Sequence, residues 1–171
     1  MKILQIVYSG LGGNSSVAFS LVEGQISKKY KNFFIFTGVE KIKKSYLLKC
    51  RDLNIKYFYI KKKKFEINYF KIQNIVKKIS PDVAIIHDYS VLPLKILRLK
   101  NKKIIYVHHT PDITKRFIDW ISYVINAFFS DRIILVSKRN KKDLMSKINK
   151  FLYSNKVKII ENGINSKRFR K

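Results

Sequence analysis

The sequence predicts an α/β protein built on a Rossmann-like open parallel sheet of about seven strands with helices on both faces. Three observations lead there. Short runs rich in β-branched and aromatic residues recur between stretches with helical periodicity, the pattern of strands joined by crossover helices. Most of these runs are continuously apolar rather than alternating, as strands covered on both faces require. A glycine cluster also joins the first run to the first helical stretch, where an open parallel sheet opens its ligand crevice.

The strand runs are Ile3–Tyr8, Phe33–Phe36, Tyr57–Ile60, Val83–His87, Ile104–His108, Arg132–Val136 and Val157–Ile160. Between the first two, a helix is expected to open near Asn14 or Ser15, both good capping residues, with Ala18, Val22 and Ile26 one turn apart on its buried face. The plainest helix is Phe65–Ile79, where Phe65, Tyr69, Ile72, Val76 and Ile79 make one stripe, and Ser80 and Pro81 stop it. Further helices are expected over Leu92–Leu99, Thr114–Phe129 and Lys138–Phe151. Residues 1–165 then form a single Rossmann-like domain, and 166–171 are polar and basic, the start of a linker or tail.

At 171 residues, 46% of them hydrophobic, the chain can bury a core without a disulfide or metal staple. Neither staple is available, since Cys50 stands alone and no Cys/His group has zinc spacing. The most apolar later stretch, Ile118–Phe129, is interrupted by Asp119, Ser122 and Asn126 and is too short to cross a bilayer core of about 30 Å. A net charge of +26 calls for anionic company: nucleic acid, lipid headgroups or a phosphorylated substrate. A chain with 30 Lys and 26 Ile is also what an AT-rich genome writes at tolerant positions. The cations cluster at Lys41–Lys44, Lys61–Lys64, Lys100–Lys103 and Lys138–Lys142, the second beside Tyr57, Phe58, Tyr59 and Phe65. Such aromatics could stack on bases, but their place in strand and helix patterns assigns them to the core.

Candidate site residues gather at the carboxyl ends of the strands. Gly10-Leu11-Gly12-Gly13 follow the first strand, where backbone NH groups and the helix N-terminus behind them favour phosphate, although the dinucleotide spacing of three glycines is not met. His108 and His109 close the fifth strand, and because successive residues face opposite ways only one is expected to look into the crevice. His87 and Asp88 end the fourth strand, Asp112 lies just beyond His109, and Ser137 follows the sixth strand run. The carboxylates could serve as general bases or simply as caps.

Taken in order, these motifs resemble the N-terminal half of a GT-B glycosyltransferase of the group 1 retaining family. The matching pieces are MKILQIVYSGLGGNSSVAF, PDVAIIHDY, KKIIYVHHT, and SDRIILVSKRNKKDL followed by VKIIENGINSKRF. The resemblance implies an acceptor-binding half of an enzyme that moves a sugar from a nucleotide-sugar to a cell-surface polysaccharide or glycolipid. Gly12, Gly13 and Asn14 would then lie by the donor phosphates or sugar and His109, with His108 as the alternative, would contact the transferring sugar. His87, Asp88, Asp112 and Ser137 would line the cleft, and Asn162 and Gly163 would mark the crossover to a second domain. That donor-binding domain is not expected within these residues, since Glu23, Glu40, Glu66 and Glu161 do not form the family's Glu-x7-Glu pair. No metal or cofactor beyond the nucleotide-sugar co-substrate is implied. The expected partners are a sugar acceptor, a donor domain in cis or trans, and an anionic membrane at its cytoplasmic face, with nucleic acid the rival.

Overall fold

The computed structural model describes residues 1–10, 12–25, 29–62, 69–87, 103–109, 117–138 and 155–161. Seven strands form one sheet: β1 (Lys2–Tyr8), β2 (Lys31–Gly38), β3 (Lys56–Lys61), β4 (Val83–Ile86), β5 (Lys103–His108), β6 (Arg132–Leu135) and β7 (Val157–Ile159). Every pairing is parallel, in the order β3-β2-β1-β4-β5-β6-β7. The order reverses direction at β1, so the crevice of this sheet opens between the carboxyl ends of β1 and β4.

Four helices are described: α1 (Gly13–Glu23), α2 (Lys44–Asp52), α3 (Tyr69–Ile79) and α4 (Phe117–Phe129). They divide between two cores, one on each face of the sheet. On one face Ala18, Phe19 and Val22 of α1 and Tyr46 and Cys50 of α2 pack on Val7, Phe34 and Phe36. On the other, Ile72, Val76 and Ile79 of α3 and Tyr123 and Ala127 of α4 pack on Leu4, Ile6, Ile35, Ala84, Ile86, Ile104 and Tyr106. Neighbours in a strand go to opposite cores, Ile6 against Val7 and Ile35 against Phe36, which is the strand period of two made visible. Both faces are therefore dry, and the runs read as continuously apolar for that reason.

Two expectations need correction, and one helix is added to those expected. Neither Asn14 nor Ser15 caps α1: its N-cap is Gly12, with no side-chain cap, and both polar side chains are spent on tertiary bonds instead. Helix α2 was not foreseen, because its pattern offers only Tyr46 and Cys50 as buried residues. Tyr57 is not core: it sits on edge strand β3 at 44% exposure, while Phe58 and Tyr59 do pack against the two cores. The expected stop after α3 is present, with Ser80 at φ 47° in the left-handed region just before Pro81. The expected helices over 92–99 and 138–151, Ile26, Phe65 and the tail 166–171 lie outside the described residues, apart from Lys138.

Two aspartates set the amino ends of the strands. Asp82 accepts from the Lys2 NH at 2.7 Å while its own NH donates to the Lys2 carbonyl, and Asp131 treats Ile104 in the same way. Each carboxylate closes the rung that begins a parallel pair, β1 with β4 and β5 with β6.

Candidate functional site

The β1–α1 turn is held by its own strand and its neighbours. Ser15 Oγ donates to the Tyr8 carbonyl at 2.7 Å, Ser9 Oγ to the Glu40 carbonyl at 2.6 Å, and Tyr46 Oη to the Gly12 carbonyl at 3.4 Å. Gly10 is required there, because a methyl would press into the Tyr8 ring and the Glu40 carboxylate. Gly12 and Gly13 are different. Gly12 has extended backbone (φ −175°) that any residue adopts, and no described atom lies within 4 Å of a methyl placed on Gly13. The described fold gives neither position a steric reason to be glycine.

Across the crevice, Asn14 Nδ2 donates to the His87 carbonyl at 3.1 Å and so ties the start of α1 to the end of β4. The His87 ring is buried and bonded on both nitrogens, Nε2 to Gln5 Oε1 at 3.0 Å and Nδ1 to His109 Nε2 at 3.1 Å. The two imidazoles are stacked, with centroids 5.3 Å apart. Three segments far apart in sequence thus converge on one point of the sheet's carboxyl rim.

Alternation along β5 separates the two neighbouring histidines. His108 turns to the α3/α4 face and packs edge-on against Tyr123 with centroids 4.8 Å apart. His109 turns to the other side and meets His87, half-buried. Burial disfavours the imidazolium form, and the neighbouring His109 adds charge repulsion, so the His87 pKa falls from 6.5 to about 3. Burial takes His109 down to about 4. Both rings are neutral at pH 7.

Of the other expected residues, Ser137 follows β6 on the same rim and is half-buried, whereas Asp88, Asp112, Asn162 and Gly163 lie outside the described residues. Gln5 was not anticipated as part of this cluster, although a polar residue in the middle of ILQIV is an anomaly in an otherwise apolar buried strand. Among the described residues no group of three His, Cys, Asp or Glu could hold a metal ion. A groove of about 600 Å³ lies elsewhere, at the amino end of β3 beside α2, lined by Cys50, Arg51, Asn54 and Tyr57. Cys50 is buried there in an apolar setting that pushes its thiol up to about 12, so it is no nucleophile.

Glycosyltransferase Family 4 matches residues 11–168, nearly the whole chain, with Asn14, His87 and His109 inside the match. The chain belongs to that family. No curated protein matches the sequence of this Family 4 domain. Among solved structures, Alr3699/HepE of Anabaena, crystallised in complex with UDP, superposes with a TM-score of 0.73 at 12% identity, over 100% of this chain and 46% of that one. MurG of Acinetobacter baumannii gives 0.65 at 11% identity, over 99% and 48%. The UDP-GlcNAc 2-epimerase of Methanocaldococcus jannaschii gives 0.64 at 13% identity, over 95% and 46%. These likenesses establish the fold, one Rossmann-like half of a GT-B architecture, and the Family 4 domain spans about half the length of each neighbour. Epimerase and transferase share the fold, so the activity has to be argued from the site.

Proposed function

We propose that this Family 4 domain is the acceptor-binding half of a retaining glycosyltransferase, completed by a donor-binding domain that holds the nucleotide-sugar. The observation that carries this reading is the junction at the switch point, where Asn14, His87 and His109 connect the β1–α1 turn to the ends of β4 and β5. Family membership supplies the prior and the HepE structure, bound to UDP and glucose in a second crystal, supplies a ligand class. In the reaction the bond from the sugar's anomeric carbon to the diphosphate oxygen breaks. A new bond to the acceptor hydroxyl forms on the same face, and the acceptor's proton passes to the departing diphosphate. No protein nucleophile and no metal is needed for that sequence. Gly12 and Gly13 let the diphosphate or sugar approach the backbone NH groups at the start of α1. His109, a neutral imidazole, hydrogen-bonds the transferring sugar.

The natural acceptor is a polysaccharide or lipid-linked glycan at the cytoplasmic face of a membrane. Supporting this, Phe117, Ile121, Val124 and Phe128 form an exposed apolar stripe along α4, on a chain of net charge +26. Among the described residues no helix is long and apolar enough to cross the membrane.

The deciding experiment joins this chain to a donor-binding half, in cis or as a second polypeptide, and follows nucleoside diphosphate release and glycan formation over a panel of nucleotide-sugars. The chain alone is expected to give no turnover. In the complete enzyme His109→Ala should lower transfer by at least tenfold with the fold intact, and unchanged transfer removes its assigned role.

A further inference from the structure

The geometry points to Gln5 as a positioning residue that acts through His87 to fix which nitrogen of His109 carries the proton, so that His109 offers a lone pair at Nδ1 to a hydroxyl donor. This deepens the transferase reading and rests on it only for the identity of that hydroxyl.

The inference starts from a buried amide. Gln5 is fully buried in β1, its Nε2 donates to the Ala18 carbonyl of α1 at 3.4 Å, and its Oε1 faces His87 Nε2 at 3.0 Å. Turning the amide over would set Oε1 against the Ala18 carbonyl, two acceptors with no proton between them, so the orientation is determined. Oε1 can only accept, and therefore His87 Nε2 carries hydrogen. A neutral imidazole has one N–H, which leaves His87 Nδ1 as an acceptor. The group opposite it at 3.1 Å, His109 Nε2, must then be the donor. His109 is thereby an Nε2–H imidazole whose remaining nitrogen, Nδ1, accepts.

Every bond donates inward, from His109 to His87, from His87 to Gln5 and from Gln5 to the Ala18 carbonyl, and this has a chemical consequence at the outer end. A neutral ring with a bare lone pair is matched to a sugar hydroxyl, which donates, and mismatched to a phosphate oxygen, which only accepts. Within the crevice the phosphates are left to the backbone NH groups at the start of α1, and the histidine discriminates for hydroxyl. Gln5, which touches no substrate in this arrangement, governs that preference from inside the sheet.

The test is a long-range ¹H–¹⁵N correlation spectrum of the full 171-residue chain labelled at histidine, at pH 7 and without any sugar. His87 and His109 are both expected as single tautomers with Nε2 protonated and Nδ1 unprotonated. Gln5→Met, close in size but with no acceptor, should convert both rings to tautomer mixtures. A wild-type His109 protonated at Nδ1, or on both nitrogens, overturns the assignment, as does a folded Gln5→Met protein in which neither ring changes. Should Gln5→Met fail to fold, the wild-type spectrum still decides. Because the readout needs neither donor nor acceptor, its failure is separable from failure of the transferase reading, which is judged by His109→Ala turnover in the complete enzyme.

Discussion

The glycines of the β1–α1 turn divide by what a side chain would meet, and the division is testable. At Gly10 a methyl collides with Tyr8 and Glu40, so Gly10→Ala should cost about 1–3 kcal/mol, the range for overpacking. At Gly13, where no described atom is near, Gly13→Leu should leave the melting temperature close to wild type and yet depress sugar transfer in the complete enzyme. Equal activity would mean that no ligand approaches that backbone. The histidine pair makes a second prediction at this scale. Since the folded-state pKa values lie below 6.5, the unfolded chain binds protons that the folded one refuses, and stability falls as pH drops below about 6.5 towards 4. Between pH 7.5 and 5.5 each such histidine removes on the order of 1 kcal/mol. Denaturant unfolding at the two pH values measures this, and His87→Gln should flatten the slope by about half; an unaltered slope would place the pH dependence elsewhere. How much of this was legible differs by residue. The Gly10–Gly13 turn, His87 and the His108/His109 pair are legible by position, because in a parallel sheet the carboxyl end of a strand is fixed once the strand is recognised, whereas the parts given to Asn14 and to His109 come from the family resemblance. Choosing between His108 and His109 required the register of β5, which only contact with Tyr123 and His87 decides. Gln5 gives no signal of its role, because a single polar residue does not disturb the apolar run ILQIV that marks the strand.

Among the described elements, the same logic explains why all seven strands are legible in the sequence while helix α2 is not. A strand buried on both faces carries its signal in nearly every residue, so the three apolar residues Ile133, Ile134 and Leu135 of β6 suffice. A helix on the rim of the sheet carries it only where it touches. Helix α3, with Ile72, Val76 and Ile79 against the sheet, shows a full stripe, whereas α2 presents Tyr46 and Cys50 and leaves Leu48 at 51% exposure. The N-terminus of α1 shows the opposite error. Asn14 and Ser15 have the chemistry of caps, but at a switch point a side chain reaching across to β4, or back to Tyr8, does more than one satisfying its own helix. Likewise the aspartates of PDVAII and SDRIIL, part of the motifs by which the family is recognised, are used at the amino rim, where Asp82 and Asp131 bind backbone NH groups of the adjacent strand. They hold the sheet in register, away from the chemistry.

For the whole molecule the question is what its charge is for. A net charge of +26 alone attracts any polyanion, and nucleic acid and lipid differ in what else they require. Bases require exposed aromatic faces beside the cations; of the tyrosine and phenylalanine candidates in β3, Tyr57 is the exposed one, while Phe58 and Tyr59 are committed to packing. A lipid surface requires an apolar face, and α4 has one. Phe117 at 82% and Phe128 at 58% exposure lie at its two ends, with Ile121 and Val124 between them on the same side. Burying such residues in the acyl boundary contributes roughly 25 cal/mol per Å² of apolar area, and each lysine near an anionic surface adds about 1 kcal/mol. Co-sedimentation with vesicles of neutral lipid, with and without one-third anionic lipid, separates the two terms. Binding is expected only when anionic lipid is present, to weaken as salt shortens the reach of the charges, and to drop several-fold in Phe117→Ser/Phe128→Ser. Indifference to lipid charge, or an unchanged affinity of the double variant, would take the membrane out of the account, and tight salt-sensitive capture of single-stranded nucleic acid in its place would turn the reading of the basic surface towards that polymer.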